Sequence, residues 1–548
     1  MDSRPDSSFD MAPMTRPTTL QELLRTGAAD APAIRGPGRD AMTYRQLREQ
    51  VARTIAALNA RGIGRNDRVA IVLPNGPVMA TAFVSIASGA STAPLNPAYK
   101  RAEFEFYLAD LNAKALLTER TSSSDAVAVA HELGIEVIEI DAREGGPAGE
   151  FALMPPTSRA PAPTPSSLSG SDADDRGKHA GSAGSRAARF GQAAADDEAL
   201  VLHTSGTTSR PKIVPLRQRN ICASAENIRA SLSLLAGDCC LNVMPLFHIH
   251  GLMAAVLGTL SAGASVFCAP GFNALKFFAW LGEADPTWYT AVPTMHQAIL
   301  SRVQRNPEAI EACRIRFIRS SSSSLPPQVM AELEQAFGAP VIEAYGMTEA
   351  SHQMTSNPLP PLVRKPGTVG IAAGPEVAVM NEGGHLLPPG TTGEVVIRGT
   401  SVTTGYANNP EANASCFTNG WFRTGDQGVI DADGYLSITG RLKEIINRGG
   451  EKIAPREVDE VLMDHPAVQQ VVTFAVPDEK LGEDVAAAVV LREGAQVTHH
   501  ELRDFAASRL AAFKVPRTLL FVDEIPKGPT GKLQRIGLAS KLGLGKRT

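Results

Sequence analysis

The densest run of residue types suited to phosphate chemistry is Leu202-His203-Thr204-Ser205-Gly206-Thr207-Thr208-Ser209-Arg210-Pro211-Lys212. Hydroxyls and backbone N–H groups donate to phosphate oxygens, Gly206 lets the backbone approach closely, and Lys212 adds a positive charge. A polyphosphate is the expected guest. The run is not a Walker loop: Pro211 stands where that pattern has its second glycine, and Ile213 follows the lysine in place of Ser or Thr. Taken alone it also reads as a Ser/Thr-rich surface turn. Other stretches place polar side chains at the end of an apolar run. Leu241 to Leu246 leads to His248, Phe317-Ile318-Arg319 opens into Ser320 to Ser324, and Val341-Ile342-Glu343-Ala344-Tyr345 runs on into Gly346-Met347-Thr348-Glu349-Ala350-Ser351-His352. Open α/β sheets hold ligands at the carboxyl ends of their strands. The serine run by itself also reads as a low-complexity loop, Asp426 after Gly425 as a turn carboxylate, and Lys532 in Gly528-Pro529-Thr530-Gly531-Lys532 as a solvated loop lysine.

The elements that must position these groups alternate. Thr19 is placed to cap a short helix ending at Gly27, and Leu47, Val51, Ile55 and Leu58 recur at helical spacing after Thr43. Val69 to Leu73 then reads as a buried strand, with another near Thr92 to Leu95. This βαβ-type order predicts an α/β fold with a largely parallel sheet. Val69 to Tyr99 and Gly251 to Lys276 are long uncharged runs, but their prolines and glycines favour buried strand-turn-helix units over membrane spans. Glu394 to Arg398 and Trp421 to Asp426 predict a β-rich subdomain. A smaller α+β tail follows, with a helix over Pro455 to Met463, strands over Val468 to Val476 and Val485 to Leu491, a helix over His499 to Leu510 and a strand over Leu519 to Val522. About 155–195 is rich in Pro, Ser, Gly, Ala and Asp and reads as a flexible insertion.

Composition narrows the partners. The chain has 548 residues, 43% hydrophobic and 20% charged, enough for two or more domains. Its formal charge of -4 offers no basic excess for nucleic acid or an anionic membrane surface, so a small molecule is the expected partner. The six cysteines form no C-x-x-C pair, which argues against a disulfide frame or structural zinc and for a reducing compartment. Residues 1–17 carry no apolar signal core, and Gly545-Lys546-Arg547-Thr548 is not a peroxisomal address, so a cytoplasmic location is expected.

Read together, His203 to Lys212, Pro245 to Gly251, Tyr345 to Glu349, Trp421 to Asp426, Gly440 to Glu451 and Pro526 to Arg535 resemble the motif series of the adenylate-forming superfamily, in order, from about residue 20 to residue 540. Within it, Thr207 to Lys212, Trp288 to Thr294, Thr348 to His352 and Ile446 to Ile453 are most similar to the oxalate-CoA ligases. Departures are Ile213 where glycine is usual, Gly346 where alanine is frequent, and the uniform serine run; the first bears on loop mobility and the last on the acid pocket.

The resemblance implies a two-step ligase: a carboxylate and ATP give an acyl-adenylate, and coenzyme A then displaces AMP. It implies an AMP-binding domain over 18–440, a hinge at 441–443 pivoting on Lys443, and a mobile domain over 444–548. Thr204, Ser205, Gly206, Thr207, Thr208 and Lys212 would hold the β- and γ-phosphates; Ala344, Tyr345, Gly346 and Met347 would line the nucleotide site. Thr348 would contact the α-phosphate and Glu349 would ligate Mg2+, a hard cation suited to oxygen ligands. Asp426 and Arg441 would bind the ribose, Lys532 would reach the reacting carboxylate, and Gly449, Gly450 and Glu451 would line the coenzyme A tunnel. His248, Ser322 and His352 would form a small polar acid pocket, favouring oxalate. Rival readings are a ligase for a longer or aromatic acid and a non-catalytic nucleotide-binding member of the fold.

Overall fold

The computed structural model describes residues 16–143, 145–155, 190–204, 211–527 and 533–545. The proline- and serine-rich segment expected over 155–195 falls mostly outside them, as do Ser205, Gly206, Thr207, Thr208 and Lys532. Among the described residues the strands form sheets of nine, seven, five and five strands.

The two large sheets are parallel at their centres and antiparallel at their edges. In the nine-stranded sheet, Pro32–Arg35, Ser265–Cys268, Cys239–Asn242, Trp288–Ala291, Phe317–Ser321 and Val341–Met347 run parallel side by side, and His352–Ser356 returns antiparallel along Val341–Met347. In the seven-stranded sheet, Arg68–Val72 lies between Ala115–Glu119 and Ser91–Pro94, and the strands Glu198–Thr204 and Lys212–Arg217 close one edge. Helices fill the space between the sheets. In Pro77–Ala87 every residue from Met79 onward is buried, as an element covered on all sides must be, and one core joins Val69 and Ile71 of one sheet to Val266 and Trp288 of the other.

The Gly251 run begins differently from the sequence expectation. It continues a wide-turned helix, His250–Leu257, extended by Gly258–Ser261, and only then enters the strand Ser265–Cys268. An apolar run covered on every side carries no period to tell helix from strand. Gly251 is required there: a Cβ would lie 2.5 Å from the Pro245 carbonyl oxygen. In chain order, Cys239–Asn242 is followed by a strand on one side of it and then by Trp288–Ala291 on the other. Such a reversal is where open α/β sheets place their ligand crevice, at the carboxyl ends of the strands.

The β-rich subdomain contains Glu376–Met380, Gly393–Arg398, Trp421–Ile430 and Leu436–Arg441. The C-terminal sheet pairs Ile446–Arg448, Glu451–Ile453, Val468–Asp478, Gly482–Leu491 and Thr518–Phe521, with helices Pro455–Met463 and His499–Ala507. No helix of the described residues is long and apolar enough to cross a membrane.

Candidate functional site

The strand ends converge as the alternation requires. Thr204 and Lys212 are cross-strand partners at the ends of the strands that flank residues 205–210. Lys212 Nζ lies 4.5 Å from the centre of the Tyr406 ring, and the Tyr406 hydroxyl donates to Glu349 Oε1 at 2.8 Å. Glu349 is buried in the short turn of helix Thr348–Ala350, and that burial raises its carboxyl pKa above the ordinary value against the fields of Arg441 and Lys212. A buried carboxylate in the field of a lysine offers an oxygen ligand that suits a hard cation. Among the described residues no group of three His, Cys, Asp or Glu could hold a metal ion.

Asp426 and Arg441 are directly opposed on neighbouring strands, with Arg441 Nε 3.0 Å from Asp426 Oδ1. The Tyr345 hydroxyl donates to the other oxygen of Asp426, tying the nine-stranded sheet to the β-rich subdomain. Ala344, Tyr345, Gly346 and Met347 end the strand Val341–Met347. Gly346 has a steric cause: a Cβ there would lie 1.6 Å from the His352 carbonyl oxygen across the turn. Ile213, the other departure, is buried in an apolar cluster with Val72 and Val201, so its side chain is core rather than part of the loop.

The residues expected at the acid pocket, His248, Ser322 and His352, gather around His250, a histidine not singled out from the sequence. His250 Nδ1 lies 3.0 Å from Ser322 Oγ, and its ring stacks on His352 with centroids 5.0 Å apart. His248 turns its Nδ1 to the backbone N–H of His250 at 3.3 Å. Ser320 and Ser321 are buried in the strand, whereas Ser322 turns out of it at φ +76° and is half-buried. Behind His250, fully buried Arg319 approaches its Nε2 at 3.3 Å and Gln353 Oε1 at 3.3 Å. His250 could have been found from its spacing, two residues beyond His248 at a strand end. Arg319 carries no such signal, because a lone arginine in a strand ordinarily faces solvent.

The C-terminal residues lie apart from this cluster. Gly449 and Gly450, at φ +60° and +101°, make the tight turn between Ile446–Arg448 and Glu451–Ile453, and they are exposed with Glu451. Among the described residues no hydrogen bond joins this hairpin to Ser322, His250 or His352; Gly449 N–H donates to Leu481 within its own lobe. Lys443 is exposed in the turn that follows Leu436–Arg441.

Known proteins resemble this chain along nearly its whole length. Residues 23–407 match the model of the AMP-binding enzyme family and residues 457–532 that of the AMP-binding enzyme C-terminal domain. The oxalate-CoA ligase of Arabidopsis thaliana is 45% identical over 94% of this chain and 97% of its own. That of Saccharomyces cerevisiae is 44% identical over 86% of each. The ATP-bound crystal structure of MatB from Rhodopseudomonas palustris superposes with a TM-score of 0.80 at 28% identity, covering 95% of this chain and 99% of that one. With more than half of its length matched to one family model and its C-terminal lobe to the companion domain, the chain belongs to the AMP-binding enzyme family.

Proposed function

We propose that the chain is an ATP-dependent acid-CoA ligase whose acid is oxalate. The observation that carries the choice of acid is the polar cluster of Ser322, His250 and His352 at the strand ends. An alkyl tail would need an apolar lining, whereas hydroxyl and imidazole groups can donate to a second carboxylate. The likeness to two oxalate-CoA ligases supports the same choice.

In the first step one carboxylate oxygen of the acid attacks the α-phosphorus of ATP, the bond to the β-phosphate breaks, and pyrophosphate leaves. In the second the thiol of coenzyme A attacks the acyl carbon and AMP leaves. The protein's work is positioning and charge stabilisation. Thr204, Ser205, Gly206, Thr207, Thr208 and Lys212 hold the β- and γ-phosphates, Thr348 the α-phosphate, and Asp426 with Arg441 the ribose hydroxyls. Glu349 would hold Mg2+, whose charge would offset that of the phosphates. Lys532 offsets the charge that builds as two anions meet, and Gly449, Gly450 and Glu451 leave room for the pantetheine arm in the second step. Work in the cytosol fits the cysteines, which are free thiols among the described residues.

The test is a panel of short acids with ATP, Mg2+ and coenzyme A, reading pyrophosphate release and thioester formation. Oxalate should lead the panel. Thioester from a long-chain or aromatic acid in preference to oxalate would overturn the choice of acid, and no pyrophosphate from any acid would overturn the ligase.

A further inference from the structure

Arg319 is a buried cation with no acidic partner among the described residues. Its side chain is fully buried, and its hydrogen-bond partners among the described residues are His250 Nε2 and Gln353 Oε1, neither of them acidic. Gln353 is itself fixed, its amide donating to Ser231 Oγ at 2.9 Å and the Ala373 carbonyl at 3.0 Å. Burial lowers the guanidinium pKa to about 9, which still leaves it charged at neutral pH. An isolated charge in a protein interior is costly and is ordinarily paired.

The contact with His250 has a directional consequence. A guanidinium can only donate, so the His250 nitrogen facing it carries no proton and accepts. The Thr290 hydroxyl lies 2.7 Å from the same nitrogen, close enough to share that one lone pair. The ring proton is therefore on Nδ1, 3.0 Å from Ser322 Oγ, and that hydroxyl accepts it. Once Ser322 accepts from behind, its own hydrogen is free to be donated forward, toward the half-exposed side.

We propose that Arg319, His250 and Ser322 form a specificity relay, in which Arg319 fixes the histidine proton on Nδ1, commits the Ser322 hydroxyl as a donor to the distal carboxylate of a small dicarboxylate, and supplies the interior positive charge that favours a dianion over a monoanion. Arg319 is a positioning residue, acting through His250. The proposal rests on the ligase reading above and adds a selectivity mechanism to it.

The experiment compares kcat/KM for oxalate and for acetate in the unaltered protein, Arg319→Met and Arg319→Lys, with KM for ATP as a control. Losing the relay should cost Arg319→Met about 100-fold for oxalate but less than about 10-fold for acetate, because a site built around a missing polar partner discriminates steeply. Arg319→Lys, which keeps a charge and a donor, should recover part of the difference, and KM for ATP should hold. Where Arg319→Met does not fold, Gln353→Leu, which removes the guanidinium's anchor, carries the same expectation. Equal losses for both acids, or an unchanged oxalate-to-acetate ratio, would overturn the relay while leaving the ligase in place. No turnover of oxalate by the unaltered protein would remove the choice of acid and the relay with it.

Discussion

His352 and Gly346 depend on one close approach. Ser351 and His352 are consecutive non-glycine residues with positive φ, +52° and +96°, a conformation that persists only where the surroundings enforce it. Here they do: Ser224 Oγ donates to the Ser351 carbonyl at 2.6 Å, and Ser351 Oγ donates to the Ser401 carbonyl at 2.8 Å. Gly346→Ala would drive a methyl group into the His352 carbonyl, so it should lower stability by about 2 kcal/mol or more and displace the imidazole. Thermal unfolding together with kcat/KM checks this, and an unchanged melting temperature would show that the turn yields freely. His352→Ala removes the imidazole and leaves the turn in place. If the imidazole faces the distal carboxylate, that change should cost about 2 kcal/mol of transition-state binding for oxalate and much less for acetate. Steady-state kinetics with the two acids decide it, and equal losses would assign His352 to the scaffold.

At the scale of elements, the strand Val341–Met347 carries both a site and a liability. Glu343 is fully buried in it; Leu325 N–H donates to Oε1 at 3.0 Å, and Oε2 has no hydrogen-bond partner among the described residues. Burial raises its pKa from 4.5 to about 7, partly countered by the charge of Arg456. Because the folded state holds this proton more tightly than the unfolded chain, the stability it contributes is complete below the unfolded pKa and declines as pH rises toward 7. Glu343→Gln, neutral at every pH, should therefore be more stable than the parent by roughly 3 kcal/mol near pH 8 and about equal to it near pH 4. Parallel melting profiles for the two proteins across that range would show that Glu343 is already compensated. Elements of this kind are legible in the sequence where one signal dominates. Thr43 caps Tyr44–Ala60, and proline opens Pro455–Met463, as their residue types predict. The helix His250–Leu257 is not legible, because it is covered on all sides and has no polar face to set a period. Arg319 is hidden for a related reason. Strand alternation places it on the face shared with Phe317, but only the tertiary fold puts His250 and Gln353 over that face.

At the scale of the molecule, the C-terminal lobe rests on the rest through polar contacts. Gln297 Nε2 donates to the Gln469 carbonyl, Gln470 Nε2 donates to Gln297 Oε1, Arg492 lies 3.4 Å from Glu332, and Arg456 Nη1 donates to the Ile438 carbonyl. Such contacts are readily exchanged for water, each being worth about 1 kcal/mol net. In the proposed ligase the two chemical steps would need different residues at one centre, Lys532 in the first and the Gly449-Gly450 hairpin in the second, and a swing about the turn at Lys443 would exchange them. This view makes two substitutions opposite in effect. Lys443→Pro fixes φ at the pivot and restrains Leu442 before it, so it should spare pyrophosphate release and suppress thioester formation. Lys532→Ala should abolish pyrophosphate release while leaving supplied acyl-adenylate convertible to thioester, since its charge serves the meeting of two anions and not the arrival of a thiol. Both half-reactions can be followed separately, the first by pyrophosphate and the second by loss of free thiol on adding acyl-adenylate. If either variant impaired both halves equally, that residue would be structural, and if Lys443→Pro left both intact, the lobe would turn about a different point.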